Sequence, residues 1–330
     1  MSKVTERLIL ITGGAGFIGY HLARRLSKEQ GNKIVLLDNF ERGRLDKDLE
    51  ELLNPKNVRI VSGDIAEEKT YARLDRFYDE IYHLAAVIGV ANVMKRPHDV
   101  LRTNALGTLL LLDWFTRGGG EKLLFASTSE VYAWTQKFHD LTVPTPEDVP
   151  LSLTDPGNPR SAYAGSKIFG ELAVHQYCAV SGKRFSIVRY HNVYGPRMGY
   201  EHAIPQLYQR ALDGQNPLVV YSADHTRAFC YVSDAVEGTV RVMRNDSADN
   251  LTINIGNDLE EMTIGELARR LLAAAKIEAD IEPEENSNDP IIRRCPDINL
   301  ARKLINYEPK VPINEGLQLT IDWYSRSLKA

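Results

Sequence analysis

The stretch Leu8–Leu26, LILITGGAGFIGYHLARRL, decides the fold. An apolar run leads into four glycines within seven residues (Gly13, Gly14, Gly16 and Gly19), and a segment of helical periodicity follows. Glycine is costly in ordered backbone, so a cluster of it marks places where a side chain does not fit. A strand, a glycine turn and a helix in that order bring unpaired backbone N–H groups to face a phosphate, with the helix dipole favouring its charge. The spacing of Gly13, Gly16 and Gly19 reads as G-x-x-G-x-x-G. Asp38 ends the next apolar run, KIVLLD, about 20 residues on, where an acid accepts hydrogen bonds from a ribose diol. Asp38 disfavours a 2′-phosphate, so NAD is expected over NADP; Arg42 and Arg44 stand close enough in sequence to keep NADP open.

Working outward, VRIVSGDI, EIYHLAAV, KLLFASTS and FSIVRYHN join RLILITGG and KIVLLDNF as short, nearly continuous apolar runs. Such strands suit a parallel sheet covered on both faces. Helix candidates lie between them at 17–30, 98–117 and 161–181. This alternation predicts a doubly wound α/β fold with a parallel sheet. Past residue 195 the pattern loosens, with helices expected at 203–213, 233–244 and 263–275. PLVVYS, AFCYVS and LTINIG are expected strands there, and the acidic loop IEPEENSNDP precedes the last elements. Two regions are expected, 1–190 and 191–330, the second a smaller α/β lobe, with some exchange of chain between them.

Composition narrows the task. Forty Lys and Arg face 44 Asp and Glu, a net charge of -4, with no dense basic block. Electrostatic capture of nucleic acid or of an anionic membrane is therefore not expected. The three cysteines, Cys178, Cys230 and Cys295, are far apart, which suits reduced thiols in a cytoplasmic protein. No apolar run approaches the roughly 20 residues a membrane span needs, and MSKVTERLILITGG lacks a signal-peptide pattern. A soluble, cytoplasmic protein is expected. No H-E-x-x-H, C-x-x-C or G-x-S-x-G spacing occurs, so neither a metal centre nor a serine nucleophile is expected.

In SAYAGSKIFGEL, Tyr163 and Lys167 lie four apart at the start of an expected helix and share one face. A nearby ammonium and a bound cationic nicotinamide would lower the tyrosine pKa, making a base toward a substrate hydroxyl. A bare Y-x-x-x-K is common by chance and usually surface decoration. Here it follows both the glycine turn and FASTSEVY.

Together these residues resemble the extended short-chain dehydrogenase/reductase family, within it the NAD-dependent nucleotide-sugar epimerases, dehydratases and decarboxylases. The resemblance runs over essentially the whole chain. It includes the Gly13–Gly19 turn, Asp38, GDI with Asp64 and Ile65, HLAA from His83 to Ala86, and Asn104 in TNALGT. It continues through Thr128, Tyr163, Lys167, HNVYGPR and TRAFCYVSD. It implies a Rossmann-like sheet binding NAD. Asp64 and Ile65 would flank the adenine, and Leu84, Ala85 and Ala86 would line the pyrophosphate and nicotinamide side. Phe17, Ile18, Asn39, Asn104 and Tyr190 would complete the cofactor contacts. Thr128 would bond the reacting sugar hydroxyl, with Ser129 beside it. Tyr163 would be the base, and Lys167 would hold the nicotinamide ribose. Asn192, Arg197 and Arg227 would meet the nucleotide sugar, its diphosphate suiting arginine's forked donors. Arg293 or Arg294 would add a second cation. The helices at 98–117 and 161–181 would form an intersubunit four-helix bundle in a homodimer; an ordinary core helix is the alternative.

The family's chemistry starts with hydride removal from carbon 4 of the sugar, leaving a 4-keto intermediate. Its fate depends on the residues beside carbons 5 and 6, here Ser129 and Glu130 in STSEVY. A carboxylate at Glu130 resembles the decarboxylases and dehydratases more than the simple 4-epimerases. The dTDP-glucose dehydratases carry Asp where this chain has Ser129, although GDP-mannose-type dehydratases manage with Ser. STSEVY, YGPRM and TRAFCYVSD look most like the UDP-glucuronate decarboxylases, which makes loss of carbon dioxide from UDP-glucuronate the leading expectation. A 4,6-dehydratase, a UDP-sugar 4-epimerase and a non-catalytic NAD or nucleotide-sugar sensor remain as alternatives. Ala133-Trp134 after EVY, the small neutral lead-in to Tyr163, and His191 and His202 near the expected substrate side depart from the familiar decarboxylases, so the sugar is open.

Overall fold

The computed structural model describes residues 6–53, 56–138, 140–285 and 291–327. The first five residues, and residues 286–290 of the acidic loop, lie outside them. The chain forms two compact units, 1–131 with 153–189 and 239–253, and 132–152 with 190–238 and 254–330. The exchange is therefore larger than a single cut at 190 conveys: 132–152 joins the second unit and 239–253 returns to the first.

The main sheet contains β1 (Arg7–Thr12), β2 (Asn32–Asp38), β3 (Val58–Ser62), β4 (Tyr78–His83), β5 (Gly120–Thr128) and β6 (Arg184–Tyr190). With Thr252–Ile255 at its edge, the order is Thr252–Ile255, β6, β5, β4, β1, β2, β3. β1 runs parallel to β2 and to β4, so Thr12 stands between Leu37 and His83. The strand order reverses at β1, and such a switch point is where open α/β sheets bind ligands, outside the carboxyl ends of the strands. Buried Leu10, Val35, Ile81, Leu123 and Ile187 extend across the strands into a core closed by Leu111, Phe115 and Val174.

Helix α1 (Phe17–Leu26) buries Gly19, Leu22, Ala23 and Leu26, one helical face, and carries Arg24 and Arg25 in its last turn, where they suit the dipole. It stops short of the expected residue 30. The helix expected at 98–117 is Pro97–Trp114, followed by a wider turn over Phe115–Gly119 in which Gly118 has φ 111°. The third, Arg160–Ser181, ends at Gly182 in the left-handed conformation. Gly170 lets it lie so close to β5 that a Cβ there would run into the Phe125 ring.

The second unit is built from small sheets. Glu261–Thr263, Thr226–Ala228 and Arg293–Arg294 form one in that order, and Ile281–Glu284 pairs with Leu218–Tyr221 in another. The helices Ala203–Leu212, Ile264–Ala275 and Ile313–Ser327 pack there. Ile313–Ser327 was not among the expected helices, because its buried stripe includes Gly316 and Thr320 as well as Leu317, Ile321 and Tyr324, which blunts the apolar signal. Among the described residues no helix is long and apolar enough to cross a membrane.

Candidate active site

In the first unit, the candidate residues gather at the carboxyl ends of five neighbouring parallel strands. β1 runs into the glycine turn, β2 ends at Asp38, β3 leads to Asp64, β4 to Leu84–Ala86 and β5 to Thr128. The three motif glycines have different duties. Gly13 has φ +70°, and a Cβ on it would stand 2.9 Å from the Ala85 backbone, so the turn packs directly on the end of β4. A Cβ on Gly19 would collide with the Gly13 carbonyl, which brings α1 down onto the turn. Gly16, the N-cap of α1, meets only the Gly13 carbonyl at 3.1 Å. No side chain caps α1 and no acid lies in its first turn. That end of the helix therefore suits a pyrophosphate, and the first and third glycines are explained by the protein's own backbone.

Asp38 binds this turn together. Its Oδ2 accepts from the Ala15 N–H at 3.0 Å and its Oδ1 from the Phe40 N–H at 2.8 Å. Burial pushes its carboxyl up, while the N–H groups of Phe40, Ala15 and Gly16 and the charge of Arg42 pull it back. Gly43, unremarked in the sequence, packs the following loop over the turn: its Cβ would lie 2.7 Å from that of Ala15. Asn39 donates to Asp64 at 3.2 Å. Ile65, expected beside the adenine, follows Asp64. Its side chain belongs to the core, pressed against Gly107, where a Cβ would come within 2.5 Å. A glycine in mid-helix was the signal of that close approach. Phe17 and Ile18, in the first turn of α1, are half-buried.

The segment Leu84–Ala86 is fixed by a buried polar chain. Leu84 N–H donates to the Thr12 carbonyl and Ala85 N–H to the Thr12 hydroxyl. His83 Nδ1 lies 2.8 Å from that hydroxyl, and its Nε2 lies 3.2 Å from Thr108 Oγ1, which donates to the Asn104 carbonyl. The directions close only with His83 protonated at Nε2 and accepting at Nδ1. Burial, with the charge of Lys167, pushes its pKa down to about 3, so the ring is neutral. Asn104, expected to touch the cofactor, clamps the site: its Oδ1 accepts from Val87 N–H at 2.7 Å, and its Nδ2 donates to the Val87 carbonyl and Ser166 Oγ. Ser166 donates to the Tyr163 carbonyl.

At the end of β5, the Thr128 side chain lies by the Tyr163 hydroxyl, which it favours as the phenolate. Ser129 and Glu130 open the short turn Ser129–Tyr132, and Glu130 N–H donates to Thr128 Oγ1 at 3.3 Å. Lys167 is buried and donates to the Ala126 carbonyl at 2.7 Å. The expected lowered tyrosine is not what the protein alone provides. Burial pushes Tyr163 up to about 12, with Glu130 adding to the rise and Thr128 and Arg42 opposing it. Burial lowers Lys167 to about 8, against the pull of Glu171. Tyr163 is thus a neutral phenol at neutral pH, beside a carboxylate and a hydroxyl.

The second unit holds the remaining candidates. Arg227 is buried, and its guanidinium donates to the carbonyls of Thr226, Ile291 and Ile292 at 2.8, 2.9 and 3.2 Å. It therefore fastens the strand Arg293–Arg294, which runs parallel beside it. Arg293 is half-exposed and holds Glu261 through Nε and Nη2 at 2.7 and 2.9 Å. Asn192 has φ 38° and donates to the Ala228 carbonyl; Arg197 also has positive φ, 67°. Tyr190, at the end of β6, is buried. His191 is not free for a sugar: it is buried, with Nε2 3.1 Å from Asn254 Oδ1, which also accepts from the Tyr132 hydroxyl. His202 precedes the helix Ala203–Leu212 as its N-cap residue.

A strand-end site of glycine turn, ribose acid and Tyr-Lys pair defines a dinucleotide-dependent enzyme. The model of the NAD dependent epimerase/dehydratase family matches residues 9–256, and the chain belongs to that family, with NAD as its cofactor. It is 35% identical to UDP-glucuronic acid decarboxylase 1 of Danio rerio, over all of this chain and 75% of that protein. It is also 35% identical to the UDP-N-acetyl-alpha-D-glucosaminuronate decarboxylase of Bacillus cytotoxicus, over 97% of this chain and 98% of that one. The solved dTDP-glucose 4,6-dehydratase of Streptomyces venezuelae, with NAD bound, superposes with a TM-score of 0.85 at 27% identity, covering 98% of each chain.

Proposed function

We propose that the protein decarboxylates a UDP-hexuronate, UDP-glucuronate first among them, through a 4-keto intermediate. The observation that carries the reading is the place of Glu130 in the turn that ends β5, its N–H on Thr128 Oγ1 and its carboxylate near enough to act on Tyr163. Both curated relatives described above act, by name, on a UDP-sugar with a carboxyl at carbon 6. The first unit holds NAD and the second receives the nucleotide sugar.

NAD, when bound, supplies the hydride acceptor for carbon 4 and a positive charge that lowers the Tyr163 phenol. Thr128 orients the sugar's 4-hydroxyl, and Tyr163 takes its proton. A carbonyl at carbon 4 makes the carbon 6 carboxylate part of a β-keto acid. The bond between carbons 5 and 6 then breaks, its electron pair passes into the enolate, and carbon dioxide leaves. Glu130 orders the ring and the proton delivered to carbon 5. Asn192, Arg197, Arg227 and Arg293 belong to the reading as nucleotide-sugar contacts, with Arg227 acting through the strand it fastens.

The helices Pro97–Trp114 and Arg160–Ser181 pack together and leave Leu101, Phe169 and Leu172 at 45%, 38% and 57% exposure. Their exposure supports a homodimer through these helices, which sedimentation of a Leu172→Glu variant tests.

The deciding experiment incubates the protein with NAD and UDP-glucuronate, UDP-N-acetylglucosaminuronate or dTDP-glucose, read by mass spectrometry for a change of mass and by NMR for the configuration at carbon 4. Loss of carbon dioxide from either uronate is expected. Loss of water from dTDP-glucose, or an inverted carbon 4 at unchanged mass, overturns the decarboxylase in favour of a dehydratase or an epimerase. NAD binding without turnover points to the sensor.

A further inference from the structure

The buried face that carries Tyr163 and Lys167 continues one turn further, to Glu171, which has no part in the chemistry above. Glu171 accepts from Arg189 of β6 through Nε at 2.9 Å and Nη2 at 2.6 Å, and from the Ser127 hydroxyl of β5. All three residues are buried, none more than 5% exposed. Removing two charges from water is costly, and a well-packed apolar pair holds a fold as well or better. Stability alone does not account for an ion pair at this place.

Its position does. Tyr163, Lys167 and Glu171 stand four residues apart on one helix face. Each is tied to the end of β5: Tyr163 to Thr128, Lys167 to the Ala126 carbonyl, and Glu171 to Ser127. The groups around Lys167 are Tyr163 and Glu171 on its own helix, His83 on β4, and the Ala126 carbonyl and Phe125 ring on β5, the ring 4.9 Å away. Arg189 of β6 lies behind Glu171, and Glu130 and Arg42 act at Tyr163. His83 is neutral, so Glu171 is the carboxylate that counters the burial of Lys167.

We propose that the Glu171–Arg189 pair is a positioning device for the active site. Its carboxylate keeps the Lys167 ammonium charged and, through Ser127, sets the height at which Thr128 meets Tyr163. Arg189, through its two-pronged contact, holds the Glu171 side chain in place. The inference rests on the reading of Tyr163 and Lys167 given above.

The test uses Glu171→Gln, which keeps the shape and loses the charge. The double variant Glu171→Gln/Arg189→Gln leaves no unpaired buried cation, and Glu171→Asp is the conservative rescue. Two pH profiles are read across the neutral and alkaline range: the rise in melting temperature caused by NAD, and kcat/KM with UDP-glucuronate. In the parent protein both decline with an alkaline limb near the Lys167 value of about 8. Removing the carboxylate moves that limb about one pH unit toward acid, and Glu171→Asp returns it. A folded single or double variant whose limb stays in place overturns the proposal, as does a parent NAD profile without the limb. Turnover failing in every protein while the NAD limb still moves would defeat the decarboxylase reading and leave the positioning role standing.

Discussion

The end of β5 in the first unit and the three-stranded sheet of the second each bury a cation, and they use it in different ways. Lys167 has one backbone acceptor and, one turn away, a carboxylate; burial brings it down to about 8, within reach of titration. Arg227 is surrounded by three backbone carbonyls, in the fork geometry that a guanidinium satisfies and an ammonium does not. The first arrangement leaves a charge poised and adjustable. The second immobilises a strand, and the exposed Arg293 follows from it. What separates a chemical cation from an architectural one is its partners, since both are buried.

The sharpest way to break this comparison is at Tyr163. Tyr163→Phe removes the hydroxyl that Thr128 meets and leaves the ring in its half-buried place. Turnover of UDP-glucuronate should fall by about 10²–10⁴-fold, the range for one general base, while the NAD-induced rise in melting temperature persists. A variant that keeps its turnover would remove Tyr163 from the chemistry, and with it the reason to treat this end of β5 as the reacting site.

Lys167 gives the next effect, and its sign is fixed. A buried ammonium with its pKa lowered from 10.5 to about 8 binds fewer protons in the folded chain than in the unfolded one between those values. Stability therefore rises with pH through that window. Relative to Lys167→Met, the parent protein should gain up to about 3 kcal/mol from below pH 8 to above 10.5, measured as the difference in denaturant midpoints. A flat difference would mean the ammonium is better compensated than its surroundings indicate.

The first unit is legible in the chain for a physical reason. Parallel strands buried on both faces must be apolar throughout, and a helix start that faces phosphate must shed its side chains, so RLILIT and the glycines announce themselves. Tyr163 and Lys167 are legible because one helix face needs only a spacing of four. The clamp of Asn104 on Val87 and Ser166, and the pairing of Glu171 with Arg189 and Ser127, join positions 17 to 62 residues apart, and no local pattern encodes such meetings. A residue beside a motif acid is as readily a core residue, and for Ile65 only Gly107 hints that the side chain packs inward. In the second unit the elements are short and the helix Ile313–Ser327 buries Gly and Thr, so periodicity loses its contrast.

Arg227→Lys sharpens the other side of the comparison. A lysine carries the charge without the fork and cannot serve the three carbonyls of Thr226, Ile291 and Ile292 together. A loss of about 1–3 kcal/mol of stability is expected, the cost of losing buried hydrogen bonds to a charged group. Thermal melting of the variant reads it. If stability is unchanged while KM for the nucleotide sugar rises, Arg227 is a substrate contact after all and the distinction between the two cations fails.

The smallest effect belongs to Arg293, and it separates strand from ligand. Its pair with Glu261 is bidentate but half-exposed, the guanidinium side chain at 48%, and such pairs contribute about 1 kcal/mol or less. Arg293→Ala should therefore barely move the melting temperature. Glu261, whose carboxyl Arg293 holds below its usual range, should return toward ordinary carboxylate titration. If Arg293 also meets the nucleotide sugar, KM for UDP-glucuronate rises while kcat is kept, the signature of binding lost equally from ground and transition states. Unchanged KM would confine Arg293 to its contacts with Glu261 and the Val143 carbonyl, and the nucleotide sugar's second cation would then have to be sought at Arg197 or Arg294.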